Sequence, residues 1–177
     1  MRFFRIMLTF FKVSIYDVVM NKENAEMVLA EFILPEYRDI PDVGLYLDQV
    51  TRYLNRILNA FPKMQITGSM ISNYVKQKLL PKAVKKAYSK EQIAMLVIIV
   101  MSKRILSIDQ IRVVMNDLNE MYEPETYYTM FRTLLQEAVH DQMEASEEKT
   151  CETLLKNIAS GISHGMFIDK CLEEQDQ

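Results

Sequence analysis

The sequence predicts a mainly helical protein with one short β segment. The 177 residues include only 4 Gly and 5 Pro, which leaves little material for tight turns or long loops. Ser89 with Gln92 and Ser107 with Gln110 match the capping box that opens an α-helix. Apolar residues also recur at helical spacing along most of the chain. Together these observations favour an all-α class.

The first 44 residues are predicted to form an N-terminal extension with one helix. Residues 1–19 are apolar, but charged residues interrupt the run, and it is too short to span a membrane. Two interpretations stay open: a buried strand or helix, or a start assigned too early. We favour the second, with Met20 as the initiator. A helix is predicted over Ala25–Leu34, because Pro35 stops it.

Residues 45–122 are predicted to form a second, helical domain. Its first helix covers Asp48–Leu58, where apolar residues recur every three or four positions. Thr67 is a candidate N-cap for a short helix over Gly68–Lys78. Leu79, Leu80 and Pro81 end that helix, and a basic connection with a short strand follows. Two more helices then open at the capping boxes, and the apolar run AMLVIIVM in the first of them indicates a fully buried helix.

Residues 123–177 are predicted to be an acidic helical region. Pro124 opens its first helix, since proline is tolerated in the first turn. A further helix is expected at about Cys151–Ile162. We predict that the chain forms a homodimer through the helices after Pro124, because an apolar stripe begins there: Tyr127, Phe131, Leu134 and Ala138.

Charge is distributed unevenly along the chain. The net charge is −3, from 21 Lys and Arg against 24 Asp and Glu. Between Lys63 and Arg104, however, nine basic residues face a single acid, Glu91, whereas residues 105–177 carry 5 basic and 15 acidic residues. A basic segment in an acidic chain indicates an anionic partner, and its position in a compact helical region favours nucleic acid.

No catalytic or metal-binding pattern stands out, so we predict no enzymatic activity, no metal and no cofactor. His140 and His164 have no clear Ser or Cys partner in the sequence. Cys151, His164 and Cys171 lack the spacing of a compact zinc motif. The two cysteines form no disulfide framework, which favours reduced thiols and a cytoplasmic location.

Four short motifs follow one another between Ile66 and Met115: Ile66-Thr67, Leu79-Leu80-Pro81, Tyr88-Ser89, and Ser107-Ile108-Asp109-Gln110-Ile111. In this order they resemble the DNA-binding head of MerR-type transcription regulators. The resemblance implies a winged helix-turn-helix, with Gly68–Lys78 as the recognition helix and the basic connection as the wing. From about Tyr46 onward the chain also resembles an uncharacterised bacterial family of domains of unknown function, which implies a bacterial source and no particular activity.

The resemblance supplies candidate DNA contacts. Base readout would fall to small polar and basic residues of the recognition helix: Ser69, Ser72, Asn73 and Lys76. Phosphate contacts would come from the lysines of this helix, the wing and the next cap: Lys76, Lys78, Lys82, Lys85, Lys86 and Lys90. Tyr74 could pack against the DNA backbone or belong to the core. Ordinary solvent exposure would account for the same polar residues.

The sequence departs from the MerR pattern at several places, two of them in and just after the recognition helix. An Arg that contacts the DNA backbone is replaced in the stretch Ile71-Ser72-Asn73-Tyr74, and the Gly before Leu-Leu-Pro is Lys78. The leading hypothesis is a cytoplasmic bacterial transcription regulator that binds duplex DNA. The alternative is a protein-interaction or adaptor module that keeps the winged fold without binding DNA, which the missing Arg and the overall acidity favour.

Overall fold

A computed structural model describes residues 27–144, 160–161 and 164–166, without the side chains of 141–144. Among these, residues 33–136 form one compact unit. Residues 27–32 and 137–144, with the short pieces at 160–161 and 164–166, belong to a second unit. The predictions for residues 1–19 and for most of the helix at Cys151–Ile162 lie outside the described residues.

The described chain is mainly helical, with a two-stranded sheet, which confirms the coarse fold prediction. Residues 27–31 are helical, and short 3-10 turns lie at Tyr37–Asp39 and Pro62–Met64. The strands are β1 (Leu45–Tyr46) and β2 (Ala87–Tyr88). The remaining helices are α1 (Leu47–Ile57), α2 (Gly68–Lys76), α3 (Lys90–Ser102), α4 (Ile108–Met121) and α5 (Pro124–Glu144).

Helix α3 is the centre of the unit. Nine consecutive residues, Gln92 to Val100, are buried, so this helix has no solvent-exposed face over that length. Burial on all sides is the reason for its uniformly apolar sequence. The other helices of the unit contribute buried side chains to the same core: Val50 and Leu54, Ile71 and Tyr74, Ile111 and Met115, and Tyr127 and Tyr128.

All three predicted helix caps are present. The Thr67 hydroxyl accepts a hydrogen bond from the Met70 backbone N–H at 3.3 Å. Ser89 and Gln92 form a reciprocal capping box at α3, and Ser107 forms the equivalent box at α4. Each cap satisfies backbone donors that the first helical turn leaves unpaired. Local capping signals therefore located the starts of these helices correctly.

The small sheet joins two segments that are distant in sequence. β1 pairs antiparallel with β2, with Leu45 opposite Tyr88 and Tyr46 opposite Ala87. A Cβ on Gly44 would lie 2.9 Å from the Ala87 Cβ, so glycine permits this close approach. Ala87 also bridges Val84, which closes a two-residue hairpin, and residues 84–87 are called the tip hairpin below. The strand near residue 87 was predicted, whereas β1 was not.

Helix α5 belongs partly to the same unit as the helices before it. The Tyr128 hydroxyl donates to the Pro35 carbonyl at 2.9 Å, and Arg132 Nε donates to the Leu34 carbonyl at 2.8 Å. The predicted domain boundaries at 44/45 and 122/123 therefore both fall inside the compact unit of residues 33–136. No helix within the described residues is long and apolar enough to cross a membrane.

Candidate nucleic-acid interface

Helix α2 presents one polar face to solvent. Ser69, Ser72, Asn73 and Lys76 lie at positions i, i+3, i+4 and i+7, which places them on one side of a helix. The opposite side holds Ile71, which is fully buried. The polar face of α2, defined by these four residues, carries no acid. A helix with this face can approach a negatively charged surface without repulsion.

The four side chains of this face differ in whether they already form hydrogen bonds within the chain. The Ser69 hydroxyl lies 2.8 Å from the Thr67 hydroxyl, and the Ser72 hydroxyl donates to the Gly68 carbonyl at 2.9 Å. The Asn73 and Lys76 side chains are exposed and make no hydrogen bond to a described residue. Asn73 therefore keeps both a donor and an acceptor for an outside partner, and it is the best placed residue for base recognition.

Asn55 of α1 fixes the connection that leads into α2. Its side-chain amide donates to the Ile66 carbonyl at 2.9 Å, and its carbonyl oxygen accepts from the Ile66 N–H at 2.8 Å. This pair of bonds holds the linker at the point where α2 begins. No local sequence pattern indicates this role, because the two residues are 11 positions apart and the contact depends on tertiary packing.

Lys78 ends α2 in a left-handed backbone conformation. Its φ is 60°, and the Leu79 N–H bonds the Tyr74 carbonyl at 2.9 Å while the Lys78 N–H bonds the Val75 carbonyl at 3.1 Å. This is the Schellman arrangement, in which glycine usually occupies the left-handed position. The glycine expected from the resemblance is thus replaced by Lys78 without loss of the helix stop.

The tip hairpin holds two more lysines in the same backbone region. Lys85 has φ 50° and Lys86 has φ 65°, as required for both central residues of a type I′ turn. Asn and Gly are favoured there because the left-handed region is unfavourable for other side chains. Within the described chain, the non-glycine residues with positive φ are these two and Lys78. All three are exposed cations of the basic segment.

Two side chains from the core helices anchor these turns. Gln92 is buried, and its Nε2 donates to the Pro81 carbonyl at 2.8 Å and to the Lys82 carbonyl at 3.3 Å. Arg112 Nε on α4 donates to the Gln77 carbonyl at 3.2 Å, where α2 ends. The backbone that carries the lysines is therefore connected to α3 and α4, which fixes the approach to the tip hairpin.

The structure brings most of the predicted contact residues to the surface. Lys76, Lys78, Lys82, Lys85 and Lys86 are exposed, as are Ser69 and Asn73, and Ser72 is half-buried. None of these lysines pairs with a carboxylate among the described residues. The five positive charges are therefore uncompensated by local ion pairs and available to an anionic partner.

Two predicted contacts are placed differently. Tyr74 is only 2 % exposed, so its ring belongs to the core and is removed from the set of DNA contacts. Lys90 is half-buried: its Nζ lies 4.9 Å from the centre of the Tyr37 ring and 3.4 Å from the Arg38 carbonyl. Lys90 therefore connects α3 to the segment before β1, and its charge is already engaged with an aromatic face.

Three further cations lie on the other side of α2. Lys63, Lys103 and Arg104 line a cleft of about 260 Å³ together with Met70 and the Tyr74 ring. The cleft has no acidic lining residue, and Lys103 Nζ lies 5.4 Å from the centre of the Tyr74 ring. These residues were not predicted as contacts, although they mark the two ends of the basic segment.

Residues 35–131 match the model of the family described as Domain of unknown function (DUF1836). The chain belongs to this family. A search of the curated proteins found no match, and a search of the solved structures found none either.

The DUF1836 region contains the whole candidate interface. It begins at residue 35, earlier than the resemblance from about Tyr46 onward had suggested, and it ends within α5 at residue 131. It therefore includes both Pro35 and Tyr128, whose hydrogen bond connects the two ends of the compact unit. The DUF1836 description names no activity.

Proposed function

We propose that this protein is a transcriptional regulator that binds duplex DNA through a winged helix-turn-helix. In this proposal α1 and α2 are the two helices of the motif, α2 is the recognition helix, and the tip hairpin is the wing. The proposal assigns no catalytic step, cofactor or metal to the protein. It places the protein in the bacterial cytoplasm, where the DNA is.

One observation supports this function most directly. Five exposed lysines, on or immediately after α2 and on the tip hairpin, face solvent without a carboxylate partner among the described residues. If Lys76 contacts a base and the other four lysines each neutralise a phosphate, binding should depend on salt with a slope of about −3.6 in log affinity against log salt concentration. The polar face of α2 beside these lysines is the place for contacts to bases.

The chemistry of that face suits the major groove of B-DNA. The groove is about 12 Å wide and admits an α-helix. Asn73 has a free amide, which can bond an adenine in a bidentate manner, and Lys76 can donate to the acceptors of a guanine. We assign Asn73 and Lys76 to base contacts and the lysines from Lys78 to Lys86 to phosphates.

A second function is supported by a separate observation. At the position where the MerR pattern has a backbone-contacting Arg, Ser72 bonds its own helix through the Gly68 carbonyl. In addition, Met121 and Leu134 expose large apolar side chains on α4 and α5. These features suit an adaptor that binds another protein. The same binding experiment separates the two functions, because an adaptor would show no salt-dependent affinity for DNA.

The experiment is fluorescence anisotropy with a mixture of labelled genomic fragments over a series of salt concentrations. The variant is Lys85→Gln/Lys86→Gln, which removes two positive charges from the tip hairpin. The matched control is Thr129→Glu/Thr133→Glu, which makes the same change in net charge on exposed positions of α5. We expect the hairpin variant to bind about 50-fold more weakly at 0.1 M salt and the control to bind nearly as wild type.

The salt slope provides a second readout. It should become less steep by about 1.8 in the hairpin variant and remain unchanged in the control. Absence of salt-dependent binding by the wild type would reject the DNA-binding function. An equal loss in both variants would show that net charge alone, and not the tip hairpin, determines binding.

We further propose that the active form is a homodimer through the helices after Pro124, since two-fold symmetric proteins commonly read paired half-sites. The structure changes which residues can form that contact. Tyr127, the first residue of the predicted stripe, is buried within its own chain, with 1 % of its surface exposed. Leu134 is 60 % exposed and Met130 is 43 % exposed, and the two lie one turn apart on α5.

A further inference from the structure

A groove separates the end of α2 from α4. It has a volume of about 330 Å³, within the range of sites that hold small organic molecules. We call it the head groove. Its lining residues come from the end of α2, from the turn that follows it, and from α3 and α4.

The lining combines an apolar part with a polar part. Val75, Leu79, Leu80, Pro81, Met95 and Met115 supply hydrocarbon and thioether surface. Lys78 and Lys82 supply two positive charges, Arg112 supplies a third that is paired with Asp109, and no acidic side chain lines the groove. This composition is complementary to a molecule that has an apolar body and a negatively charged group.

The polar groups of the groove have hydrogen-bonding capacity left. Lys78 and Lys82 form no ion pair with a described residue. The side chains of Asn116 and Asn119 are exposed and make no hydrogen bond to a described residue. Arg112 uses Nε for the Gln77 carbonyl and Nη1 for Asp109, which leaves Nη2 without a bond in this part of the chain. A bound anion would therefore meet unpaired donors, of which Arg112 is held in place by its bonds to Gln77 and Asp109.

We propose that the head groove binds a small organic anion, a carboxylate, sulfonate or phosphate carried on an apolar body. The apolar body would lie against Met95 and Met115, and the anionic group would lie between Lys78, Lys82 and Arg112. The amides of Asn116 and Asn119 would bond polar substituents of the ligand. This assignment rests on the groove alone and does not require that the protein bind DNA.

A consequence for regulation rests on the proposed function. Lys78 and Lys82 belong both to the groove and to the set of phosphate contacts. An anion bound in the groove would neutralise the same two charges and would weaken binding to DNA. By linkage, DNA would weaken the binding of the anion by the same factor. The groove would then make DNA binding responsive to a metabolite without any contribution from the acidic C-terminal third.

The test uses the full chain and the fluorescent probe anilinonaphthalene sulfonate, which has an apolar body and one negative charge. Its neutral analogue N-phenylnaphthylamine has the same body without the charge. Titrations with both probes are carried out on the wild type and on Asn116→Asp/Asn119→Asp. The two introduced carboxylates place negative charge at the groove but lie outside the proposed DNA contacts.

We expect the sulfonate to bind the wild type saturably, with one molecule per chain, and the neutral analogue to bind at least tenfold more weakly. Asn116→Asp/Asn119→Asp should weaken sulfonate binding at least tenfold. Lys85→Gln/Lys86→Gln serves as the control, because these lysines do not line the groove and binding should be unchanged. Equal circular dichroism spectra and melting temperatures establish that the variants are folded.

Three results would overturn the proposal: no saturable binding of the sulfonate, equal affinity for the neutral analogue, or unchanged affinity in Asn116→Asp/Asn119→Asp. If that variant is unfolded, Arg112→Lys replaces it, with the same criterion. DNA anisotropy in the presence of the sulfonate is the separate arm. Probe binding without DNA binding would reject the proposed function and keep the groove, whereas DNA binding that is unaffected by bound probe would reject only the regulatory consequence.

Discussion

At the scale of single residues, three lysines of the basic segment have a left-handed backbone conformation that the sequence did not predict. The sequence identified Lys78, Lys85 and Lys86 as exposed cations, and the structure shows them exposed. It did not indicate their positive φ, because that conformation is normally inferred from Gly or Asn. Lysine at these positions costs stability relative to Gly or Asn.

This cost in stability leads to a prediction for the tip hairpin. Replacing Lys85 and Lys86 with Asn and Gly, Lys85→Asn/Lys86→Gly, should raise the free energy of unfolding by about 1 kcal/mol. The same change removes two positive charges, so affinity for DNA should fall as in Lys85→Gln/Lys86→Gln. Urea denaturation gives the stability and anisotropy gives the affinity. A loss of stability would show that the hairpin depends on the lysine side chains themselves.

Two neighbouring buried tyrosines provide a second prediction at this scale. The Tyr128 hydroxyl donates to Pro35, whereas the Tyr127 hydroxyl is buried without a partner among the described residues. At pH 7, Tyr128→Phe should therefore lose about 1 kcal/mol of unfolding free energy, and Tyr127→Phe should lose none or gain about 1 kcal/mol. Chemical denaturation of both variants measures this difference, and each serves as the control for the other.

Alkaline pH should affect the same site. Burial, with smaller contributions from Tyr37 and Glu91, raises the pKa of Tyr127 to about 12. Between pH 10 and 12 the unfolded chain loses this proton while the folded protein keeps it, so stability falls as pH rises. Tyr127→Phe should reduce the slope of unfolding free energy against pH by up to about 1.4 kcal/mol per unit in this range. A slope in Tyr127→Phe equal to that of the wild type would contradict the raised pKa of Tyr127.

At the scale of elements, the sequence predicted the helices but only one of the two strands, β2. Local signals located α3 and α4, because each begins with a capping box that acts within four residues. Strand β1 has only two residues and pairs with a partner more than 40 positions away, so no local pattern indicates it. The hydrogen bonds from the Gln92 side chain to the Pro81 and Lys82 carbonyls, here called the Gln92 clamp, were missed for a related reason. They depend on where the turn at Pro81 lies in space.

The clamp can be measured against a matched capping residue. Gln92 bonds both the Ser89 N–H and the carbonyls of Pro81 and Lys82, whereas Gln49 on α1 bonds only the Tyr46 N–H. Gln92→Ala should therefore destabilise the protein by about 2 kcal/mol more than Gln49→Ala. Amide hydrogen exchange should rise in the tip hairpin for Gln92→Ala alone. Similar losses in both variants would mean that the clamp adds nothing to the cap.

At the scale of the whole chain, charge and contacts divide the sequence at different places. The change from basic to acidic falls near residue 104, whereas the compact unit continues to residue 136. Arg132 and Tyr128 cause this difference, because they bond carbonyls of Leu34 and Pro35. Charge distribution indicates which partners a surface can attract, and it gives no information on which helices share a core.

The remaining exposed apolar side chains of α5 allow a test of the proposed homodimer. Met130 and Leu134 are exposed one turn apart, while Tyr127 packs inward. A contact between two copies should bury Met130 and Leu134, because their exposure to water is unfavourable. Met130→Lys/Leu134→Lys should therefore give a monomer by light scattering at micromolar concentration, with an unchanged circular dichroism spectrum. Thr129→Lys/Thr133→Lys, which adds the same charge beside them, should be less disruptive to the dimer.

The mass of the wild type by light scattering tests the homodimer directly. A monomeric wild type would reject the homodimer, and DNA binding by that monomer would leave α2 and the tip hairpin as the interface of a single copy. If the wild type is a dimer and Met130→Lys/Leu134→Lys is a dimer too, the contact lies elsewhere in the chain. If the variant is a monomer, its affinity for DNA should fall, because each copy then binds one half-site without the added affinity of the second.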